Sequence, residues 1–276
     1  MPKNTKRLYI YMEKNTELPN YKNFLLSIVI PAFNEEKRIL STLDHIVSYL
    51  KKYKLRFEII VVDDGSQDKT VKVIQEYIKK CLSLRIIENG INKGKGYSIR
   101  NGILQSNGDL ILFSDADLST PIEELPEFLR WLEKDYEIVI GSRALKESVI
   151  LKQPLYRKIM GIIFNRLVQI ISVRGIRDTQ CGFKCFKKQV AYDLFSMQKL
   201  DRFSFDVEIL YLAKKKGYKI KEIPVRWYYN PDSKVKWFKD SIQMFKDIFI
   251  IRVNDLLGRY KKNKRRMKNR CLQRKY

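Results

Sequence analysis

The sequence predicts an α/β fold, a mostly parallel sheet covered by helices on both faces. Three observations carry this expectation. Five short segments are apolar almost throughout, as strands buried on both faces are. Segments with apolar residues three and four apart alternate with them, which is the period of amphipathic helices. Acidic and polar clusters recur where the apolar segments end, the edge at which parallel sheets bind ligands.

Residues 25–30 read as the first strand, ending at Pro31. Residues 35–52 carry Ile39, Leu43, Ile46 and Leu50 at helical spacing. A second strand at 57–62 ends in Asp63-Asp64-Gly65-Ser66, and a helix from 68 to about 80 follows, with Val71, Ile74 and Ile78 on one face. Residues 84–87 are a third strand, 92–105 a glycine-containing turn and helix, and 110–113 a fourth strand running into Asp115-Ala116-Asp117. Residues 121–134 read as a helix and 137–141 as a fifth strand, followed by Ser142 and Arg143.

Two later segments, 155–174 and 236–260, are amphipathic helices. The first has a narrow polar stripe through Lys158, Asn165, Gln169 and Ser172; the second repeats Phe238, Ile242, Phe245, Phe249, Val253, Leu256 and Tyr260 at spacings of three or four. Such faces suit packing on a core, or lying in a membrane interface beside a basic segment.

At 276 residues with 45% hydrophobic content, the chain is long enough for one large α/β domain. Its charge is unusual: 55 Lys and Arg against 31 Asp and Glu give +24. The excess is concentrated in the stretch 259–276, which has many basic residues and no acid. Such a balance points to an anionic partner, or to a solvated tail. The expected organisation is a polar arm at 1–25, a catalytic domain at 26–230 containing the 155–174 helix, an interfacial helix at 231–260 and a basic tail at 261–276. Four cysteines and one histidine, His45, give no zinc-ligand set, and reduced thiols are expected. No secretory leader is expected from the charged first twenty residues. No apolar run reaches the ~18 residues of a spanning helix either.

The pair Asp115 and Asp117 leaves a strand with two charges that repel each other. A hard divalent ion prefers such oxygens together with substrate phosphates, and a helix cap is the plainer reading. Asp64, in Asp63-Asp64-Gly65-Ser66, suits turn and cap chemistry or a hydrogen bond to a base or ribose. Pro31, Ala32 and Glu35 share its location and both readings. The stretch from Gly90 to Gly96 has neither the P-loop spacing nor G-x-G-x-x-G, which disfavours a nicotinamide enzyme. Lys95 and the amides around it, at a helix start, still suit a diphosphate.

Together SIVIPAFNEE, IIVVDDGSQDKT, NKGKGYSIRNG, LFSDADLSTP and IVIGSR, in that order, resemble inverting family-2 glycosyltransferases of the GT-A (Rossmann-like) fold. DTQCGFKCF and RFSFDVEIL look most like the dolichyl-phosphate β-glucosyltransferases and other polyprenyl-phosphate glycosyltransferases. The resemblance implies that Pro31, Ala32, Glu35, Asp64, Lys95 and Asp115 bind the nucleotide, and that Asp115 and Asp117 hold Mg²⁺ or Mn²⁺. It implies Arg143 and Arg157 at the acceptor phosphate, and Asp178, Gln180, Lys184, Asp206 and Glu208 around sugar and acceptor. Asp115, Asp117, Asp206 and Glu208 are thus the candidate catalytic residues.

The expected reaction moves a hexose, glucose by resemblance, from a UDP-sugar to a polyprenyl or dolichyl phosphate, with inversion. A GDP-mannose-using mannosyltransferase and an enzyme with a sugar hydroxyl acceptor are the rival readings. A hydroxyl would need a base, for which Asp206 or Glu208 is the better candidate. Eukaryotic members carry an N-terminal membrane anchor; none is expected from these first residues, and peripheral attachment to an anionic membrane, on its cytoplasmic face, is expected through 155–174 and 236–260. No nucleic-acid partner is expected, because the basic cluster is terminal and no reading motif accompanies it. A homo-oligomer is compatible with all these features.

Overall fold

The computed structural model describes residues 24–151, 154–229 and 237–261, with the backbone alone at 155–159 and 237–241. The arm before Phe24, the segment 230–236 and the tail after Lys261 lie outside the described residues. Seven strands form one sheet, in chain order β1 (Leu25–Ala32), β2 (Arg56–Asp63), β3 (Leu84–Glu88), β4 (Leu110–Ser114), β5 (Ile138–Ser142), β7 (Phe183–Lys187) and β8 (Ile220–Pro224). The spatial order is β3-β2-β1-β4-β7-β5-β8. All neighbours run parallel except β7, which is antiparallel to both β4 and β5. β6 (Val149–Leu151) and β9 (Arg226–Tyr228) form a separate parallel pair.

The helices are α1 (Ile39–Lys52), α2 (Thr70–Ile78), α3 (Lys95–Leu104), α4 (Leu125–Glu133), α5 (Leu155–Ile171), α6 (Lys188–Met197), α7 (Phe205–Lys215) and α8 (Trp237–Leu256). The period-2 alternation of the strands divides the core in two. Ile28 and Ile30 pack with Leu43, Ile46 and Phe128 on one face, while Val29 packs with Ile99, Phe195 and Leu210 on the other. Burial on both faces explains why the central strands read as unbroken apolar runs.

Several helices start later than the periodicity suggests, and side chains explain why. α1 begins at Ile39, not at residue 35, because the turn ahead of it is tied to the next loop. The Asn34 N–H donates to Ser66 Oγ (2.9 Å), Glu35 N–H to Thr70 Oγ1 (2.7 Å) and Glu36 N–H to Asp68 (3.2 Å). α2 begins at Thr70, just after an Asx-type turn in which Asp68 accepts the Thr70 N–H at 2.9 Å. Segment 121–134 divides into a 3₁₀ turn (Ile122–Glu124) and α4. The 155–174 helix stops at Ile171, and that at 236–260 at Leu256, where Gly258 takes φ 66° and ends the helix.

β7 had no counterpart among the expected strands. Its sequence, FKCFK, alternates Phe183 and Cys185 toward one core with Lys184 and Phe186 toward the other. A lysine at a core-facing position hides the strand from any apolar-run reading. α8 uses one face against the protein. Ile248 and Ile251 are buried, Tyr211 Oη donates to Asp255 (2.6 Å) and Tyr260 Oη to Glu208 (2.6 Å). Its other face leaves Ile242, Phe245, Phe249 and Val253 exposed, as α5 leaves Met160 and Ile163. Among the described residues no helix is long and apolar enough to cross a membrane.

Candidate active site

Strands β1, β2, β4 and β5 point the same way, so their carboxyl ends meet on one edge of the sheet. Ala32, Asp63, Asp64, Asp115, Asp117 and Arg143 are thereby gathered from distant stretches of chain. Pro31 and Ala32 end β1, and the Ala32 carbonyl accepts the Asp64 N–H at 2.8 Å. Glu35 is buried and accepts from the Arg38 guanidinium (Nη2–Oε1 2.7 Å).

Asp64 organises the loop that follows β3. One carboxylate oxygen accepts from Lys93 N–H and Asn89 Nδ2, both at 2.9 Å, and the other from Gly94 N–H at 2.8 Å. The amides read as a diphosphate cradle are therefore partly engaged by this carboxylate. The same bonds fix the start of α3, whose first residue is Lys95. Lys95 Nζ lies 2.5 Å from Asp115 Oδ1. Burial works against its charge, but Asp115, Asp206 and Asp117 outweigh that and hold its pKa above the ordinary lysine range.

Asp115 and Asp117 stand where β4 turns away. Leu118 takes the left-handed conformation (φ 47°), uncommon for a bulky residue, and Asp117 Oδ1 accepts Ser119 N–H at 3.0 Å. Burial and the neighbouring Asp115 carboxylate raise the pKa of Asp117. Asp115, one-third exposed, lies over Gly182, just outside the β4–β7 pairing of Ser114 with Phe183. A Cβ on Gly182 would sit 1.9 Å from Asp115 Oδ2, so the absent side chain is what gives this carboxylate its room. No group of three or more His, Cys, Asp and Glu side chains converges among the described residues. An ion here would take two protein carboxylates and complete its shell from water and substrate oxygens, as Mg²⁺ and Mn²⁺ do at phosphate sites.

Arg143 follows β5 and faces Asp178. Its guanidinium makes a bidentate pair (Nε–Oδ2 2.7 Å, Nη2–Oδ1 2.9 Å) and its backbone N–H adds a third bond at 2.8 Å. Trp227 lies against the guanidinium at 5.4 Å, and Glu222 accepts the Asp178 N–H at 2.8 Å. Burial alone would raise the Asp178 carboxyl, but Arg143 and the N–H donors hold it down at about 2. A depressed folded-state pKa contributes stability that is present above the unfolded value of 3.8 and lost as pH falls through about 2. Denaturant titrations between pH 5 and pH 2 should therefore show the stability advantage of wild type over Asp178→Asn shrinking by about 2 kcal/mol.

Gln180 donates its N–H to Asp178 (3.1 Å) and its side chain to Met244 Sδ (3.9 Å). Lys184 and Asp206 form a buried pair at 2.5 Å, and Lys184 also donates to the Cys181 carbonyl at 2.7 Å. Glu208 points away from this cluster: its carboxylate accepts Lys199 and Leu200 N–H groups and the Tyr260 hydroxyl. Arg157 falls in the first turn of α5, where the side chains lie outside the described residues. Asn89, Gly182, Glu222 and Trp227 were not among the expected site residues. Only Gly182 had a signal, its place within DTQCGFKCF; the others are joined to the site by the sheet order alone.

A parallel sheet carrying a carboxylate pair, a lysine and an arginine at one edge has the form of an enzyme that handles an anionic, phosphate-bearing substrate. Residues 27–195 match the family model described as "Glycosyl transferase family 2", and the chain belongs to that family and is a glycosyltransferase. The "Dolichyl-phosphate beta-glucosyltransferase" of Dictyostelium discoideum is 40% identical over 252 residues, 87% of this chain and 77% of that protein. The human protein of the same name is 40% identical over 258 residues, 88% of this chain and 80% of that one. In structure, mannosyl-3-phosphoglycerate synthase from Rubrobacter xylanophilus superposes with a TM-score of 0.66 at 16% identity, covering 92% of this chain and 85% of that one. The fold is thus shared well beyond recognisable sequence similarity.

Proposed function

We propose that this glycosyltransferase moves glucose from UDP-glucose to the phosphate of dolichyl phosphate or a related polyprenyl phosphate, inverting the anomeric centre. The relatives' printed activity supports the sugar, the acceptor and the β product. One observation carries the phosphate acceptor over a hydroxyl one. Asp178, Asp206 and Glu208, the acids considered as bases, are each engaged by a cation or by hydrogen-bond donors, so none of the three is a ready proton acceptor. A phosphomonoester nucleophile needs none, since its second pKa of about 6 leaves it largely ionised at neutral pH.

Asp115 and Asp117 would hold a divalent cation, which when bound stabilises the charge developing on the leaving diphosphate. Lys95 lies beside Asp115 and is placed to donate to the same diphosphate. Arg143, fixed by Asp178 and Trp227, presents the rest of its guanidinium to the acceptor phosphate. Asp64 keeps Lys95 in place through the loop amides and lies at the nucleoside end of the cleft. The exposed faces of α5 and α8 would rest in the headgroup region of an anionic membrane, bringing the cleft to the lipid phosphate.

Incubation with dolichyl phosphate and a panel of UDP- and GDP-sugars tests the reading. Glucosyl lipid should form from UDP-glucose, and chelation of divalent ions should stop it. Product from GDP-mannose alone would transfer the protein to the mannosyl reaction. Gly182→Ala supplies a sharper test of the geometry. Its methyl would displace Asp115, and a fall of about 100-fold in kcat/KM is expected, with the far-ultraviolet circular dichroism spectrum unchanged.

A further inference from the structure

Thr42 lies on the buried side of α1. A hydroxyl in a helix commonly donates back to a carbonyl three or four residues earlier, and the neighbouring Ser41 does so, its Oγ lying 2.8 Å from the Arg38 carbonyl. Thr42 does something else. Its Oγ1 donates across 74 residues of chain to the Ala116 carbonyl, at 2.7 Å and out of contact with solvent.

That carbonyl belongs to the residue between Asp115 and Asp117. Ala116 is buried in the same core as Ile39 and Leu43 of α1. The turn is closed by the Leu118 N–H, which donates to the Asp115 carbonyl at 3.2 Å, with Leu118 in the left-handed region. Rotating the peptide that joins Ala116 to Asp117 would turn the two carboxylates toward different points. The Thr42 hydroxyl opposes that rotation, which would leave a buried carbonyl without its donor. α1 is a firm base for this bond. Ile39, Leu43, Ile46 and Leu50 are fully buried, and the turn ahead of the helix is tied to Ser66, Asp68 and Thr70. One turn beyond Thr42, His45 Nε2 lies 2.7 Å from Glu123 Oε1, so the same helix face meets the chain leaving β4 twice.

We propose that Thr42 is a positioning residue for the Asp115–Asp117 pair: its hydroxyl fixes the peptide between the two carboxylates, so that both face one divalent cation. This rests on the divalent-ion reading of the site above. Thr42 itself touches neither the ion nor the substrate. Its bond also joins the nucleoside side of the cleft, where α1 is anchored to the 66–70 loop, to the carboxylate turn after β4.

Titration of Mn²⁺ into the full-length protein in the presence of UDP, followed by electron paramagnetic resonance, tests the proposal independently of turnover. Thr42→Val keeps the shape and removes the donor, and should weaken Mn²⁺ binding by about tenfold or more, the range found when a group that orients a metal ligand is lost. Thr42→Ala removes the donor without setting a methyl group against the carbonyl. It should fold, by circular dichroism, and show a loss of the same order. Thr42→Ser restores the hydroxyl and should bind Mn²⁺ as wild type does, as should Ser41→Ala, which loses only the bond within the helix. Wild-type affinity in either folded variant lacking the hydroxyl, or a loss in Thr42→Ser as large as in Thr42→Ala, overturns the role of Thr42 and leaves the functional reading standing. A wild-type protein that binds no Mn²⁺ with UDP present overturns both.

Discussion

Asp117→Asn is expected to lower kcat/KM by at least about 10³-fold, while the protein melts at the same temperature as wild type or slightly above it. The two halves of this expectation have one cause. Burial and the Asp115 charge raise the Asp117 pKa, so at neutral pH the ionised carboxylate is a strain on the folded protein. Asn keeps the shape and the acceptor for the Ser119 N–H, and removes the repulsion. On the proposed reading it also removes a ligand oxygen for the divalent ion. Steady-state kinetics with UDP-glucose and calorimetric melting in the absence of metal check both halves. Retained activity would show that Asp117 holds no ion; a large fall in melting temperature would show that it is a structural cap.

Arg143→Ala is expected to have the largest effect on stability, about 3–5 kcal/mol, because it strands Asp178 in the interior with its charge unbalanced. For a chain of this size that is a fall of roughly 10 °C in melting temperature. The reciprocal change is expected to be milder. Asp178→Asn leaves behind an arginine that is 26% exposed and can turn to water, whereas the aspartate it faces is 1% exposed. The order of the two losses in denaturant unfolding is the check. If Asp178→Asn proves the more damaging, the pair is not what holds the end of β5 to the 178–182 loop.

The first half of the fold was legible in the sequence because its physics is local. β1, β2 and β4 are buried on both faces and read as apolar runs, and each delivers its acidic cluster at the expected edge. The carboxylate pair and Lys95 could be named because motifs mark them, and the sheet places them together. The second half was less legible, because its elements depend on partners far away in the chain. β7 is interrupted by Lys184, which tolerates burial only because Asp206 faces it from α7. Glu222 and Trp227 meet Asp178 and Arg143 only after β8 and β9 have docked. Glu208 and Asp206, two residues apart, look alike in sequence, yet the helical turn sends one to Tyr260 and the other to Lys184. The amphipathic helices left packing and membrane contact both open; α8 packs one face on α7 and exposes the other.

The antiparallel strand β7 also has a consequence for how the chain is made. β4 and β5 are not neighbours in the sheet; β7 lies between them and comes later in the chain. As the protein leaves the ribosome, β3, β2, β1 and β4 can assemble, but β5 has nothing to pair with. At ~5–20 residues per second, the interval from the end of β5 to the end of β7 lasts roughly 2–9 s. Throughout it the outer edge of β4 offers unpaired N–H and C=O groups to any other extended chain. Nascent polypeptides paused or cut before Phe183 should therefore aggregate, because the strand that joins the two halves of the enzyme is also the one that covers the edge of β4.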